Sequence, residues 1–237
     1  MRFARVHCAA VMLAAACFLS CTSAGRSQIR PRAASTPGRV VPQDFARSRL
    51  HALGARGSAI EQARRHVIVI LSTENSCSAW FREADPDVVA TFQSLDFFLD
   101  DGPKYILAYK SAWGEMLLKY PYSAGVQENA GRNATVLLNT NGPFFAKAAD
   151  ILQRDATGSL ARVTGRRTLR VGSFDGNTLS AQITTLLHEL AHVIGRIPED
   201  SDELSGLSTQ NTERVLHACR AEIKSSARQH NDAERVY

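Results

Sequence analysis

Thr184-Thr185-Leu186-Leu187-His188-Glu189-Leu190-Ala191-His192 is the stretch from which the rest of the chain is read. Its two histidines stand four residues apart. On a helix that spacing puts both imidazoles on one face, one turn from each other, where they can reach a single metal ion. Glu189 is rotated from His188 by one residue. A carboxylate there sits beside the metal and can take a proton from a water that the metal has acidified. Ile183, Leu187, Leu190 and Ile194 repeat at helical spacing on a different face, a stripe suited to anchoring the helix in a core.

The flanks say where this helix begins and ends. Asp175-Gly176-Asn177-Thr178 reads as a turn into it, and the helix is expected over Thr178 to Ile194. Gly195 is a natural C-terminal cap, and Pro198 blocks continuation. Downstream, Val215, Leu216, Cys219 and Ile223 fall at helical spacing and predict a last helix from Ser208 to Arg228.

Upstream the pattern is mixed. Ser58 to Arg65 reads as helix leading into Val67-Ile68-Val69-Ile70-Leu71, whose β-branched run predicts a buried strand. Asp85-Pro86 opens a helix that carries Val88, Val89, Phe92, Leu95 and Phe98 inward. Tyr105 to Tyr122 fits strand or helix. Ala134 to Asn139 is a strand stopped by Asn141-Gly142-Pro143, read either as an ordinary sheet strand or as an edge that pairs with an extended peptide. Thr168 to Gly172 alternates and predicts another strand. The order gives an α+β fold with a small sheet, in which the motif helix and the C-terminal helix pack on each other or on the sheet.

The front of the chain reads differently. Arg2 and Arg5 precede an apolar stretch from Val11 to Leu19, with small residues at Ser20, Ser23 and Ala24, the layout of a secretory signal. Phe18-Leu19-Ser20-Cys21 resembles the lipobox of bacterial lipoproteins, which implies a lipid on Cys21. Cleavage after Ala24 would instead release a soluble protein. Residues 25–57 are rich in Arg, Ser, Ala, Pro and Gly and read as a flexible linker. The expected organisation is a signal over 1–24, the linker over 25–57 and one domain over 58–237. The destination is the bacterial cell envelope or the medium outside, and the only expected membrane contact is through the lipid.

The full sequence of 237 residues carries a formal charge of +5. Removal of Arg2 and Arg5 with the leader leaves about +3. The remaining cations are scattered and not interleaved with aromatics, which argues against a nucleic-acid partner. Cys8, Cys17 and Cys21 belong to the leader region, leaving Cys77 and Cys219 in the body. In an oxidising compartment two body cysteines pair as one disulfide closing a long loop; the alternative is two separate buried thiols.

His188-Glu189-Leu190-Ala191-His192 resembles the motif of the zincin metallopeptidases, and the resemblance covers about the C-terminal third of the chain. It implies a zinc ion on His188 and His192, with Glu189 as general base. Zincin subgroups differ in the third ligand. Pro198 occupies the position of the metzincin third histidine, and no Met-turn follows, so that subgroup is out. A thermolysin-like arrangement would use Glu213. The aspzincin, or deuterolysin-like, subgroup takes an Asp from the loop after the motif helix, which here points to Asp200, with Asp202 as its close rival. Asn211-Thr212 also resembles the segment that follows in that subgroup, and Asp200 is the preferred third ligand. Three protein ligands leave one position for water, as expected of a catalytic zinc.

Other residues carry weaker expectations. His217 and His230 are read as surface or core histidines before any site role. Tyr105, Tyr109, Tyr120 and Tyr122 are candidates for stabilising an oxyanion. Thr185, one turn before His188, is read as packing or as support for a ligand. The function implied is hydrolysis of peptide or protein substrates. A non-catalytic metal-holding domain and a zinc amidase acting on a cell-wall component share the same motif and stay open.

Overall fold

The computed structural model describes residues 50–102, 105–111, 114–119, 122–155, 157–200 and 206–235. The leader, Cys21, Tyr120, Asp202 and most of the linker lie outside the described residues, as do the side chains of Tyr105 and Tyr109. Among the described residues no helix is long and apolar enough to cross a membrane.

The elements among the described residues follow one another as α1 (Gly54–Ser72), α2 (Ser76–Arg82), α3 (Val88–Gln93), β1 (Asp96–Asp100), β2 (Tyr105–Ser111), β3 (Gly114–Lys119), β4 (Ala124–Gly125), β5 (Thr135–Asn139), β6 (Ala148–Arg154), β7 (Leu160–Thr168), β8 (Arg170–Val171), β9 (Phe174–Asp175), α4 (Leu179–Val193) and α5 (Leu207–Arg235). The class is mixed α+β. Among the described residues the strands make three small sheets where the sequence suggests one: β1-β5-β4, the antiparallel sheet β2-β3-β6-β7 and the ribbon β8-β9.

Several local expectations need correction. Val67 to Leu71 is helical, the last part of α1. Ile60, Ala63, Val67, Ile70 and Leu71 are buried along one side, while Val69 is 61% exposed. The helical period runs through the β-branched run without a breaker and outweighs its strand propensity. Helix already covers Gly54, ahead of Ser58, and Leu50 is buried in the core. Residues 54–57, read from the sequence as the end of a linker, are therefore helical, their glycines having made a helix start look like coil.

The helix opened by Asp85-Pro86 is short. Val88, Phe92 and Leu95 are buried as expected, but the chain turns into β1, where Phe97 faces inward and Phe98 is 39% exposed. Period 2 has replaced period 3.6, so Phe98 falls on the outer face. β5 lies between β1 and β4, parallel to the first and antiparallel to the second. Ala134 to Asn139 is thus an inner strand, and β1 and β4 are the edges. Thr168 to Gly172 straddles the end of β7 and the short β8.

The motif helix α4 is better insulated than an amphipathic stripe requires. Every residue from Ala181 to Val193 is buried. It touches α1, α5 and strands β4, β8 and β9. Polar groups on such a helix need partners inside the protein. Gln182 donates to the Phe144 carbonyl at 3.0 Å, Thr184 to the Ser180 carbonyl at 2.7 Å and Thr185 to the Ala181 carbonyl at 3.0 Å. Thr178 caps the start, its hydroxyl accepting from Ala181 N–H, a contact worth about 1 kcal/mol.

The C-terminal helix α5 exceeds its predicted limits at both ends. Val215, Leu216, Cys219 and Ile223 all enter the main core. Cys219 forms a disulfide with Cys77 of α2 across 142 positions of sequence, so the pairing reading of the two cysteines holds. His217 is exposed on α5. His230 packs edge-on against His66 and bonds Gln62, tying the far end of α5 to α1.

Candidate metal centre

The helix period delivers His188 and His192 to one spot, with their Nε2 atoms 2.9 Å apart. Both rings are about 95% buried. The loop after α4 supplies the third group. Gly195 takes φ +66°, the left-handed conformation in which a side chain is strained, and its backbone passes so close to Asn129 that a Cβ would lie 2.0 Å from Oδ1. Arg196 N–H returns to the Ala191 carbonyl at 2.8 Å, and Ile197 is buried. The chain is thereby turned back beside α4, and Asp200 reaches the histidines. Its Oδ2 lies 3.1 Å from His188 Nε2 and its Oδ1 3.4 Å from His192 Nε2.

A second loop braces this turn. Asn129 N–H and Gly131 N–H donate to the carbonyls of His192 and Val193, at 2.9 and 3.1 Å, satisfying acceptors that the end of a helix leaves open. Glu128 Oε2 accepts from Glu199 N–H at 3.2 Å. From α5, Asn211 Nδ2 donates to Asp200 Oδ1 at 2.8 Å and to the Pro198 carbonyl at 2.9 Å. Thr212 Oγ1 lies 3.1 Å from His188 Nδ1.

The donor set fits a cation. Two imidazole nitrogens and a carboxylate oxygen lie within 4.8 Å of one another. Lone pairs on two buried nitrogens at 2.9 Å repel unless a proton or a cation lies between them, and the Asp200 carboxylate faces both. Two histidines with one carboxylate form a known set for catalytic zinc. Glu213, the thermolysin-like candidate, is half exposed and pairs with Arg220 at 3.0 Å, apart from this group.

Electrostatics around the group are uneven. Burial pushes the Glu189 carboxyl up to about 8, and the Asp200 charge adds to the effect. Burial lowers the His188 imidazole against the opposing pull of Asp200. Asp200 is raised by burial, but its hydrogen bonds with His188 and His192 outweigh this and hold it well below the usual carboxylate range.

His188, Glu189, His192 and Asp200 open onto a cleft of about 690 Å³, which Tyr122, the edge strand β4, Arg167 and Arg170 also line. Tyr122 is the one tyrosine of the four candidates whose side chain is described at this cleft, and its hydroxyl donates to Asp100. Thr185 bonds Ser123 Oγ at 2.7 Å, joining α4 to the cleft wall, and its hydroxyl is not bonded to either histidine. Sequence reading did not foresee the Glu128–Gly131 brace or the contacts of Asn211 and Thr212. In the sequence these two α5 residues stand out only as a resembling segment, since residues on another helix announce their aim through tertiary packing alone. Compared with models of known protein families, with curated proteins and with solved structures, the chain finds no match.

Proposed function

We propose that this chain is a zinc-dependent hydrolase of the zincin kind, nearest to the aspzincin subgroup, that cleaves peptide bonds outside the cytoplasm. The observation that carries the reading is the convergence of His188, His192 and Asp200 at a cleft that Glu189 also lines. His188 and His192 would hold the ion through Nε2 and Asp200 through its carboxylate. The chemistry that zinc supplies in such a set is polarisation of an amide carbonyl and acidification of water.

The residues of the chain do the rest. Glu189 takes the proton of the attacking water and delivers it to the departing amine nitrogen, so its carboxyl ends the cycle as it began. Substrate lies in the cleft beside β4, an edge strand of its sheet among the described residues and so a place for an extended chain to pair. Buried walls around Glu189 keep bulk water from competing for that proton.

The test is metal content joined to hydrolysis. The domain from Leu50 onward, refolded with zinc, is expected to bind about one zinc per chain. It should hydrolyse a denatured protein, stop when a chelator is added and resume when zinc is restored. His188→Ala and Asp200→Ala should lose the metal, whereas Glu213→Ala should keep it. Wild-type protein that binds no zinc would end the proposal, and release by Glu213→Ala alone would move the third ligand to Glu213. Zinc without hydrolysis of any amide points to the non-catalytic reading. Cleavage confined to cell-wall fragments points to the amidase.

Export belongs to the same proposal. The Cys77–Cys219 disulfide is of a type that persists in oxidising compartments. Protein from the native host should begin at lipidated Cys21 or just after Ala24 when its N-terminus is weighed by mass spectrometry. An intact Met1 there counts against export.

A further inference from the structure

The geometry points to Thr212 and Asn211 on α5 as the positioning residues of the metal centre, a role we infer on the basis of the zinc reading above. An imidazole that offers Nε2 to a metal carries its proton on Nδ1, and a hydrogen-bond acceptor there fixes both tautomer and ring plane. Thr212 Oγ1, 3.1 Å from His188 Nδ1, is such an acceptor. The contact is buried, and Thr212 itself is 8% exposed, so water does not replace it freely.

The rotamer of Thr212 is set by its other branch. Gly172, in the turn between β8 and β9, has φ +54°, and a Cβ on it would lie 3.3 Å from Thr212 Cγ2 and 2.3 Å from Leu216 Cδ1. The missing side chain lets the turn close over the methyl group while the hydroxyl faces His188. Asn211, fully buried, does for the carboxylate what Thr212 does for the ring. One Nδ2 group donates to Asp200 Oδ1 and to the Pro198 carbonyl, fixing the carboxylate and the loop that carries it. His192 lacks this help: its buried Nδ1 has no hydrogen-bond partner among the described residues. Two of the three ligands are therefore aimed by adjacent residues of one helix, and the third by packing.

The experiment is zinc affinity, measured by competition with a chromophoric chelator, in a set of variants. Thr212→Val keeps the shape and the methyl contact but has no acceptor, and Asn211→Ala removes the donor. Each should weaken zinc binding by about 10- to 100-fold, the usual cost of losing an outer partner of a metal ligand. Thr212→Ser restores a hydroxyl and should recover most of the loss. Cobalt substituted for zinc should show an altered visible absorption in Thr212→Val and a wild-type spectrum in Thr212→Ser.

Thermal unfolding of the metal-free proteins separates folding from positioning. A Thr212→Val protein that unfolds like wild type yet binds zinc weakly supports the role. Affinity within about threefold of wild type in Thr212→Val, with His188→Ala still losing the metal, overturns it and leaves the zinc reading standing. Failure of serine to rescue overturns the hydroxyl's part even if affinity falls. Absence of zinc from the wild-type protein overturns both together.

Discussion

Glu189→Gln is expected to keep zinc and the fold while hydrolysis falls by about 10²- to 10⁴-fold, the range for losing a positioned general base. The substitution suits the site for a structural reason. Glu189 is 4% exposed on a helix whose neighbours are all buried, so its volume must be preserved, and glutamine preserves it. The amide also carries no charge to be desolvated, which removes the cost that pushes the native carboxyl up to about 8. Metal-free stability should therefore be equal to or above that of wild type. What glutamine lacks is a basic oxygen able to hold a proton through the cycle. Because His188, His192 and Asp200 are untouched, zinc affinity should stay near the wild-type value. The measurement is kcat together with zinc content on the same preparation. Full zinc with unchanged kcat would take Glu189 out of the mechanism; lost zinc would make it a ligand and not a base.

The two halves of the centre differ in how far the sequence exposes them. His188, Glu189 and His192 are separated by a fixed helical period, and the flanking Thr178 and Gly195 mark the helix within a residue of its observed ends. Local rules suffice there. Asp200 was within reach because only a few residues separate it from the helix end, and a glycine with a proline shortly after it implies a reversal. Asp200 and Glu213 could not be separated by spacing, because Glu213 depends on which side of α5 faces α4. In the structure that side carries Asn211 and Thr212, and Glu213 turns toward Arg220.

Elsewhere the failures have a common cause. Val67 to Leu71 has the composition of a strand, yet its burial follows the register of the helix before it. β6 and β7 do not announce themselves because their charged residues obscure alternation, as in Leu160 to Thr168, where Arg162, Arg166 and Arg167 interrupt the apolar positions. β6 and β7 pair with each other as a hairpin, but β6 is held on its other side by the distant β3, a contact that no short window of sequence contains. Compact helical features were legible, and sheet membership and cross-helix aim were not.

Removal of the disulfide should produce the largest loss of stability in the domain. Cys77 and Cys219 are both fully buried and join α2 to α5 across 142 positions. A cross-link over so long a loop restricts the unfolded chain strongly, and the chain-entropy estimate for this length is about 5 kcal/mol, with measured cases often lower. The helix it secures also inserts Val215, Leu216 and Ile223 into the main core and brings Thr212 and Asn211 to the metal centre. Cys77→Ala combined with Cys219→Ala avoids leaving a lone thiol, and the two small side chains keep the site apolar. Unfolding should be followed in denaturant with a chelator present, since bound zinc stabilises the native state by mass action and would mask part of the difference. The expected loss is about 3–5 kcal/mol relative to the oxidised wild type. Reduced wild-type protein should fall in the same range, which separates the covalent bond from the packing of the two sulfurs. A loss below about 1 kcal/mol in both would mean that α5 is secured by its apolar face and that the cross-link adds little.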